Sequence, residues 1–468
     1  MKGRGSSAFV AGVILLALVA GAMRANNASV YQLHWGFDAP WNWEYVEHLT
    51  HTWELPAPHE GWSYAQPPLF FYGSAVLARA MDGASKRDVT RAIRWVSSGV
   101  GLLAIALAVF YVARAAPGDP KRWFLAAGLL LFLPAHIYMS AMLSQEILVS
   151  ALISATVVGT ALQLGRAPDS RHALRNVAGL GVVGGLAVLT KLTAALVVLA
   201  VCLAWVLDGL RRRHWKRGLA CALVFGSVAT LVGSGYYVRN LVQFGYLYPH
   251  DLPVHARIHT MPPGERSVGD YLRVPIATFT DPQVLNRDLV ESVWGTTYTT
   301  LWFDGHRIVL PRSERAITHL GTAMLLLALV PSVAFAVGLW RGLRRAIAKP
   351  GGVDTLFLLL VALTLAGYVL FTWRNPWYAT VKGSYLLGLL VPFGYYASEV
   401  LSDWTRGPGL RSFFVWSSLS ALLVLCITVF TLEMVFVKTD SGPGFDWKKH
   451  YPEYSMEGAR AAGSVPGS

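Results

Sequence analysis

Apolar runs of about twenty residues recur along most of this chain, and a run of that length is what crosses a bilayer as a helix. With hydrocarbon as solvent, the backbone has to satisfy its own hydrogen bonds, which leaves helices or closed barrels. The runs lack the alternating pattern of barrel strands, so the expected class is an all-α polytopic membrane protein. A soluble reading fails on composition as well. Of 468 residues, 54% are hydrophobic and 14% charged, too apolar for a water-facing surface. The net charge of +13 is scattered in short clusters between the runs, so it reads as an orientation signal and not as a nucleic-acid footprint. Cys202, Cys221 and Cys426 lie inside apolar stretches with no CxxC spacing, and imply no disulfide framework.

Windows of about 19 residues place eleven spans, near 7–25, 93–114, 123–141, 147–165, 176–190, 193–209, 218–238, 316–340, 354–372, 384–400 and 412–436. The first follows Lys2 and Arg4 and has the outline of a signal peptide; it is read as an uncleaved first helix. Pro68–Met81 is apolar but short, carries Arg79 and opens on prolines, so an interfacial helix is expected there. With that stretch left uncrossed, the short basic turns at Arg114–Arg122, Arg166–Arg175, Arg211–Arg217, Arg341–Lys349 and Arg406–Arg411 share one face, the cytoplasmic one, together with the N-terminus. Lys86, Arg87, Arg91 and Arg94 are the exception and fall outside. Two long outer loops, 26–92 and 239–315, are rich in Trp, Tyr and His and are expected to fold as a cap that carries the function. Residues 1–400 read as one module, 401–437 as the last helix and 438–468 as a polar outer tail.

Few ionisable residues interrupt the spans, and the acids collect at the outer boundary. Asp38 follows the first span among Trp35, Phe37, Trp41, Trp43 and Tyr45. A carboxylate among rings is suited to accept a hydroxyl proton, and an Asp ahead of Ala-Pro is equally suited to cap a helix. Trp41, Trp43 and Tyr45 fit an interfacial belt as well as a binding surface. Gln66-Pro67-Pro68-Leu69 fixes a helix start, and Gln145-Glu146 puts an acid at another, where the helix dipole alone would favour it.

Taken in order, these segments resemble the GT-C type of polytopic lipid-linked sugar transferase, which includes protein O-mannosyltransferases and lipid A aminoarabinose transferases. Asp38, Tyr45 and Leu49 keep step with that family's first outer loop, Gln66–Leu69 is similar to its His-Pro-Pro-Leu, and Gln145-Glu146 to its second outer acid. Gly185–Lys191, Tyr237–Asn240 with Phe244-Gly245, and Lys382–Leu387 match three later patterns, so the resemblance runs over residues 7–395. Ala39, Asn42, Gln66 and Ser384 depart from it. The resemblance implies inverting transfer of a sugar from a polyprenyl-phosphate donor to an acceptor hydroxyl outside a plasma, inner or endoplasmic-reticulum membrane. Asp38 would be the base and Glu146 a second catalytic acid; Tyr45, Gln66, Lys191, Arg239, Arg374, Lys382 and Tyr385 would bind substrate, the cations clamping phosphate. Lysine or arginine at a helix end also snorkels or binds lipid headgroups. Ala39 and Asn42 stand where the family has ligand-type side chains, which speaks against a bound divalent metal, and no other cofactor is implied. The expected partners are the bilayer, the lipid-linked sugar and an unspecified hydroxyl acceptor, with no nucleic acid. A transporter or flippase for lipid-linked sugars and a non-catalytic transferase-like subunit are the competing classes.

Overall fold

The computed structural model describes residues 2–33, 35–164, 171–249, 252–256, 258–284, 286–310 and 315–434; the tail 438–468 lies outside them. Among these residues there are helices and no strand. The helices are α1 (Lys2–Val30), α2 (Ala39–Thr52), α3 (Leu69–Ala80), α4 (Lys86–Ala115), α5 (Pro120–Leu131), α6 (Pro134–Ala141), α7 (Glu146–Gln163), α8 (Arg171–Thr190), α9 (Ala195–Arg211), α10 (Trp215–Gly233) and α11 (Gly235–Phe244). Three single turns follow, α12 (Gly269–Leu272), α13 (Ala277–Thr280) and α14 (Arg287–Val290), then α15 (Val293–Trp302), α16 (Arg315–Ala348), α17 (Val353–Arg374), α18 (Leu390–Trp404) and α19 (Leu410–Phe430).

Among the described residues, eight helices are long and apolar enough to cross a membrane, and a ninth crossing is possible if α5 and α6 count as one bent span. Each of the eleven expected spans overlaps a helix among the described residues, but two fall short of that standard: residues 174–190 of α8 form a shorter apolar helix, and the stretch near 384–400 opens as a 3-10 turn, Gly383–Leu389, before α18. The expected single helix 123–141 is instead broken by 51° ahead of Pro134. Proline has no N–H to give and disfavours helix in the residue before it. The break frees backbone carbonyls inside an apolar bundle, and buried Arg24 of α1 supplies a donor, its Nη2 bonding the Leu131 carbonyl at 2.9 Å and facing His136 Nδ1 at 3.1 Å.

The first long loop is shorter than expected, 31–85, because α1 continues to Val30 and α4 begins at Lys86. Asn27 holds the end of α1 against the end of α19 by donating to the Phe430 carbonyl (2.7 Å) and accepting from Leu432 N (2.9 Å). Ser85 caps α4, accepting from Asp88 N at 3.2 Å, so the polar turn Lys86–Arg91 is helical. The span expected at 218–238 stops at Gly233, and α11 leaves it as a separate helix. α3 has 12 residues, about 18 Å at 1.5 Å per residue, which is well short of a hydrocarbon core of about 30 Å.

The two ends of the bundle are built differently. At the end carrying the short basic turns, Arg345 joins Asp354 and Glu399 (both 2.9 Å), Arg341 meets Asp403 (2.5 Å), and Tyr396 donates to Asp354 (3.0 Å), tying α16, α17 and α18 together. At the other end, α2, α3, α11 and the 252–310 segment fold over the helices. There Asp304, 2% exposed, accepts from the backbone N–H of Ile308, Val309 and Leu310 at 2.8–3.0 Å, so this loop is held by its own hydrogen bonds.

Candidate active site

Four connections converge at the loop end. Asp38 stands ahead of α2, Glu146 opens α7, Lys191 follows α8, and Lys382 precedes the 3-10 turn that leads into α18. Gly36, at φ +133°, makes the turn before Asp38, a conformation that side chains with a Cβ rarely adopt. Gly383 brings Lys382 in: a Cβ there would lie 2.6 Å from Leu301 N, and Gly383 N donates to Thr300 Oγ1 at 2.8 Å. Ser150 on α7 donates to the Leu387 carbonyl (2.8 Å), which fixes the 3-10 turn beside Glu146.

The result is two acid–ammonium pairs on one tyrosine. Lys191 Nζ pairs with Glu146 Oε1 and lies 4.1 Å from the centre of the Tyr385 ring. Lys382 Nζ faces Asp38 Oδ2 at 4.0 Å, and its cation lies 3.9 Å from the Phe37 ring and 6.0 Å from Tyr385. Burial pushes the Lys382 ammonium below the usual lysine range, against the pull of Asp38 and Glu146, with Lys191 lowering it further. Glu146, Lys191 and Lys382 are largely enclosed, whereas the Asp38 side chain is 45% exposed.

Asp38 occupies the N-cap position of α2 but makes no side-chain cap bond. Its Oδ1 accepts instead from Trp62 Nε1 at 3.1 Å; Trp62 stacks on Trp41 at 4.5 Å and meets the edge of His255 at 5.0 Å. The expected aromatic enclosure of this carboxylate is therefore one-sided, and the other side is open. Gln66 borders the cluster through Gln145, whose Nε2 lies 3.4 Å from Gln66 Oε1.

Three expected binding residues sit elsewhere. Tyr45 is fully buried, stacked on Phe71 at 4.2 Å, because it falls on the inner face of α2. Arg239 donates to the carbonyls of Leu55 (2.7 Å) and Pro56 (3.1 Å) and so holds the first loop closed. Arg374 is exposed in the last turn of α17, and among the described residues no hydrogen bond or ion pair joins it to the cluster. Sequence reasoning missed Trp62 as a neighbour of the acid and the contact of Phe37 with the Lys382 ammonium, since no spacing rule links Trp62 to Asp38 or Phe37 to Lys382.

The described residues around the cluster fit a divalent cation poorly. Each acid already faces an ammonium, and a further cation would meet that charge at close range. Asn42 spends both ends of its amide: Nδ2 donates to the Leu143 carbonyl and Oδ1 accepts from Ser63 Oγ, both at 2.8 Å. Among the described residues, no three His, Cys, Asp or Glu side chains cluster.

No family model and no curated protein matches the chain. Solved structures do. The Archaeoglobus fulgidus oligosaccharyltransferase in complex with Zn and sulfate superposes with a TM-score of 0.56 at 14% identity, over 97% of this chain and 56% of that one. The same organism's oligosaccharyltransferase AglB, in complex with an inhibitory peptide and a dolichol-phosphate, gives a TM-score of 0.51 at 13% identity, over 97% and 59%. The chain has the GT-C membrane fold. It spans less than two thirds of the archaeal enzyme's length. A looser overlap is with ArnT from Cupriavidus metallidurans bound to undecaprenyl phosphate, at a TM-score of 0.39 and 16% identity, over 86% and 80% of the two chains. On the GT-C fold, the cluster around Asp38 lies at the loop end, where the capping segments close over the helices.

Proposed function

We propose that this chain is a membrane glycosyltransferase that moves a sugar from a polyprenyl-phosphate donor to an acceptor hydroxyl on the outer face of the membrane, with inversion. The observation that carries the reading is the pair of acid–ammonium contacts, Asp38 with Lys382 and Glu146 with Lys191, gathered on Tyr385 at the loop end of a GT-C fold.

The chemistry runs as one displacement. The acceptor oxygen forms its bond to the anomeric carbon as the bond from that carbon to the phosphate oxygen breaks, and the leaving electron pair stays on the polyprenyl phosphate. Asp38 takes the hydroxyl proton: Trp62 occupies Oδ1, while Oδ2 faces Lys382 across 4.0 Å on the open side of the carboxylate. Lys382 and Lys191 stabilise the phosphate as its charge develops, and their enclosure strengthens that interaction relative to water. Glu146 holds Lys191 in place and balances its charge. A single displacement from the face opposite the phosphate inverts the anomeric configuration. The outer-face assignment, with a cytoplasmic N-terminus, is supported by the short basic turns gathered at the end opposite the site.

The test is purified protein given a mixed pool of polyprenyl-phosphate sugars and candidate acceptors, with the lipids weighed by mass spectrometry. The expected result is loss of the sugar mass from one lipid and its gain on an acceptor. Movement of intact lipid-linked sugar across vesicle membranes with no cleavage would overturn the reading in favour of a transporter.

A further inference from the structure

Away from the Asp38 cluster, a cavity of about 580 Å³ opens between the end of α1, the start of α4 and the residues after α19. Its walls include Tyr31, Lys86, Arg87, Thr90, Arg94 and Glu433, none of which belongs to the cluster. Arg94 is 2% exposed. Its Nε donates to the Ala28 carbonyl at 3.1 Å, and the residue lines the cavity, where an acceptor from outside the protein can reach its guanidinium. Tyr31 Oη is buried beside it, without a partner among the described residues. A guanidinium set in a cavity and largely shielded from bulk water binds an anion more strongly than an exposed one, because the contact is less screened.

The charge around the cavity says what kind of acceptor. Lys86 and Arg87 are exposed at the rim, and Arg91 nearby is already paired with Asp88. Among the described lining residues Glu433 is the one carboxylate, so there three cations face one acid. The volume falls within the range of small-molecule pockets, roughly 300–1,000 Å³. These are also the basic residues that break the positive-inside pattern, which leaves them needing a role at this end of the bundle. We infer that this cavity is a second anion site, which takes a phosphate group on Arg94 with Arg87 and Lys86 at its mouth. Arginine fits a tetrahedral oxyanion because its planar fork gives two parallel donors. A lipid headgroup and free phosphate present the same group.

Native mass spectrometry of the full chain in detergent tests this with three probes: dioctanoyl phosphatidic acid, dioctanoylglycerol as its uncharged counterpart, and inorganic phosphate. Wild type should retain phosphatidic acid and not dioctanoylglycerol. Arg94→Gln and, at the exposed rim, Arg87→Gln should each weaken that retention about tenfold or more, as expected for loss of a charge-assisted hydrogen bond. Lys382→Gln, which alters the proposed active site, should leave the Arg94-dependent binding in place, so failure here and failure of the transferase reading are separable. Displacement by an equal concentration of inorganic phosphate would identify free phosphate as the ligand. A requirement for a large excess would identify a lipid headgroup. Equal retention of dioctanoylglycerol, or unchanged affinity in both arginine variants, would overturn the proposal.

Discussion

Asp38→Asn separates chemistry from structure at the centre of the proposed site. The amide keeps the size of the carboxylate and an oxygen for Trp62 Nε1, and no cap bond is lost because Asp38 makes none. What disappears is the charge and the basicity. The Lys382 contact is 4.0 Å long on a side chain 45% exposed, so the stability change should stay near the value for an open ion pair, about 1 kcal/mol or less. Loss of a general base typically costs about 100- to 10,000-fold in rate, which is about 3–5 kcal/mol of transition-state stabilisation. The assay is turnover of polyprenyl-phosphate sugar by purified variant and wild type, with thermal unfolding and donor binding measured on the same samples. The expected outcome is a turnover loss of about a hundredfold or more, with unfolding and donor binding nearly unchanged. Near-normal transfer by Asp38→Asn, alongside an inactive Glu146→Gln or an inactive Glu44→Gln at the exposed acid about two turns along α2 from Asp38, would refute Asp38 as the base while leaving the transferase reading intact.

Donor-phosphate affinity should fall on the alkaline side at a lower pH than an ordinary lysine would give, because burial lowers the Lys382 pKa. Asp38 raises that pKa, so Asp38→Asn should move the alkaline limb lower still; a titration of donor binding against pH checks the direction. Gly383→Ala puts a Cβ 2.6 Å from Leu301 N, and should cost about 1–3 kcal/mol in unfolding experiments while displacing Lys382 and weakening donor binding. Reporters fused after Arg213 or Arg345 should be cytoplasmic, and cysteines placed at Tyr72 and Asp82 should both react with an impermeant reagent from outside. Labelling of Asp82→Cys from the cytoplasm alone would mean that α3 crosses the membrane.

The sequence by itself determined that the chain is helical and made for lipid, because apolar runs of spanning length leave the backbone no other way to pair its polar groups. It also marked Asp38, Glu146, Lys191 and Lys382, each at a connection between apolar runs, where a charged group meets no hydrocarbon, and the family resemblance added Tyr385 at the start of the 384–400 run. It could not say that Lys191 closes on Glu146 and Lys382 on Asp38, since these contacts join distant connections and depend on how the helices pack. Nor could it separate Arg239 and Tyr45 from the cluster around Asp38. Both carry suitable chemistry, but the inner face of α2 buries Tyr45 against Phe71, and the first loop presents its bare carbonyls at Leu55 and Pro56 to Arg239. Arg24 makes the same point inside the bundle: in sequence it is a lone charge within an apolar run, and only the bend at Pro134, with the Leu131 carbonyl set free beside it, gives that charge a partner.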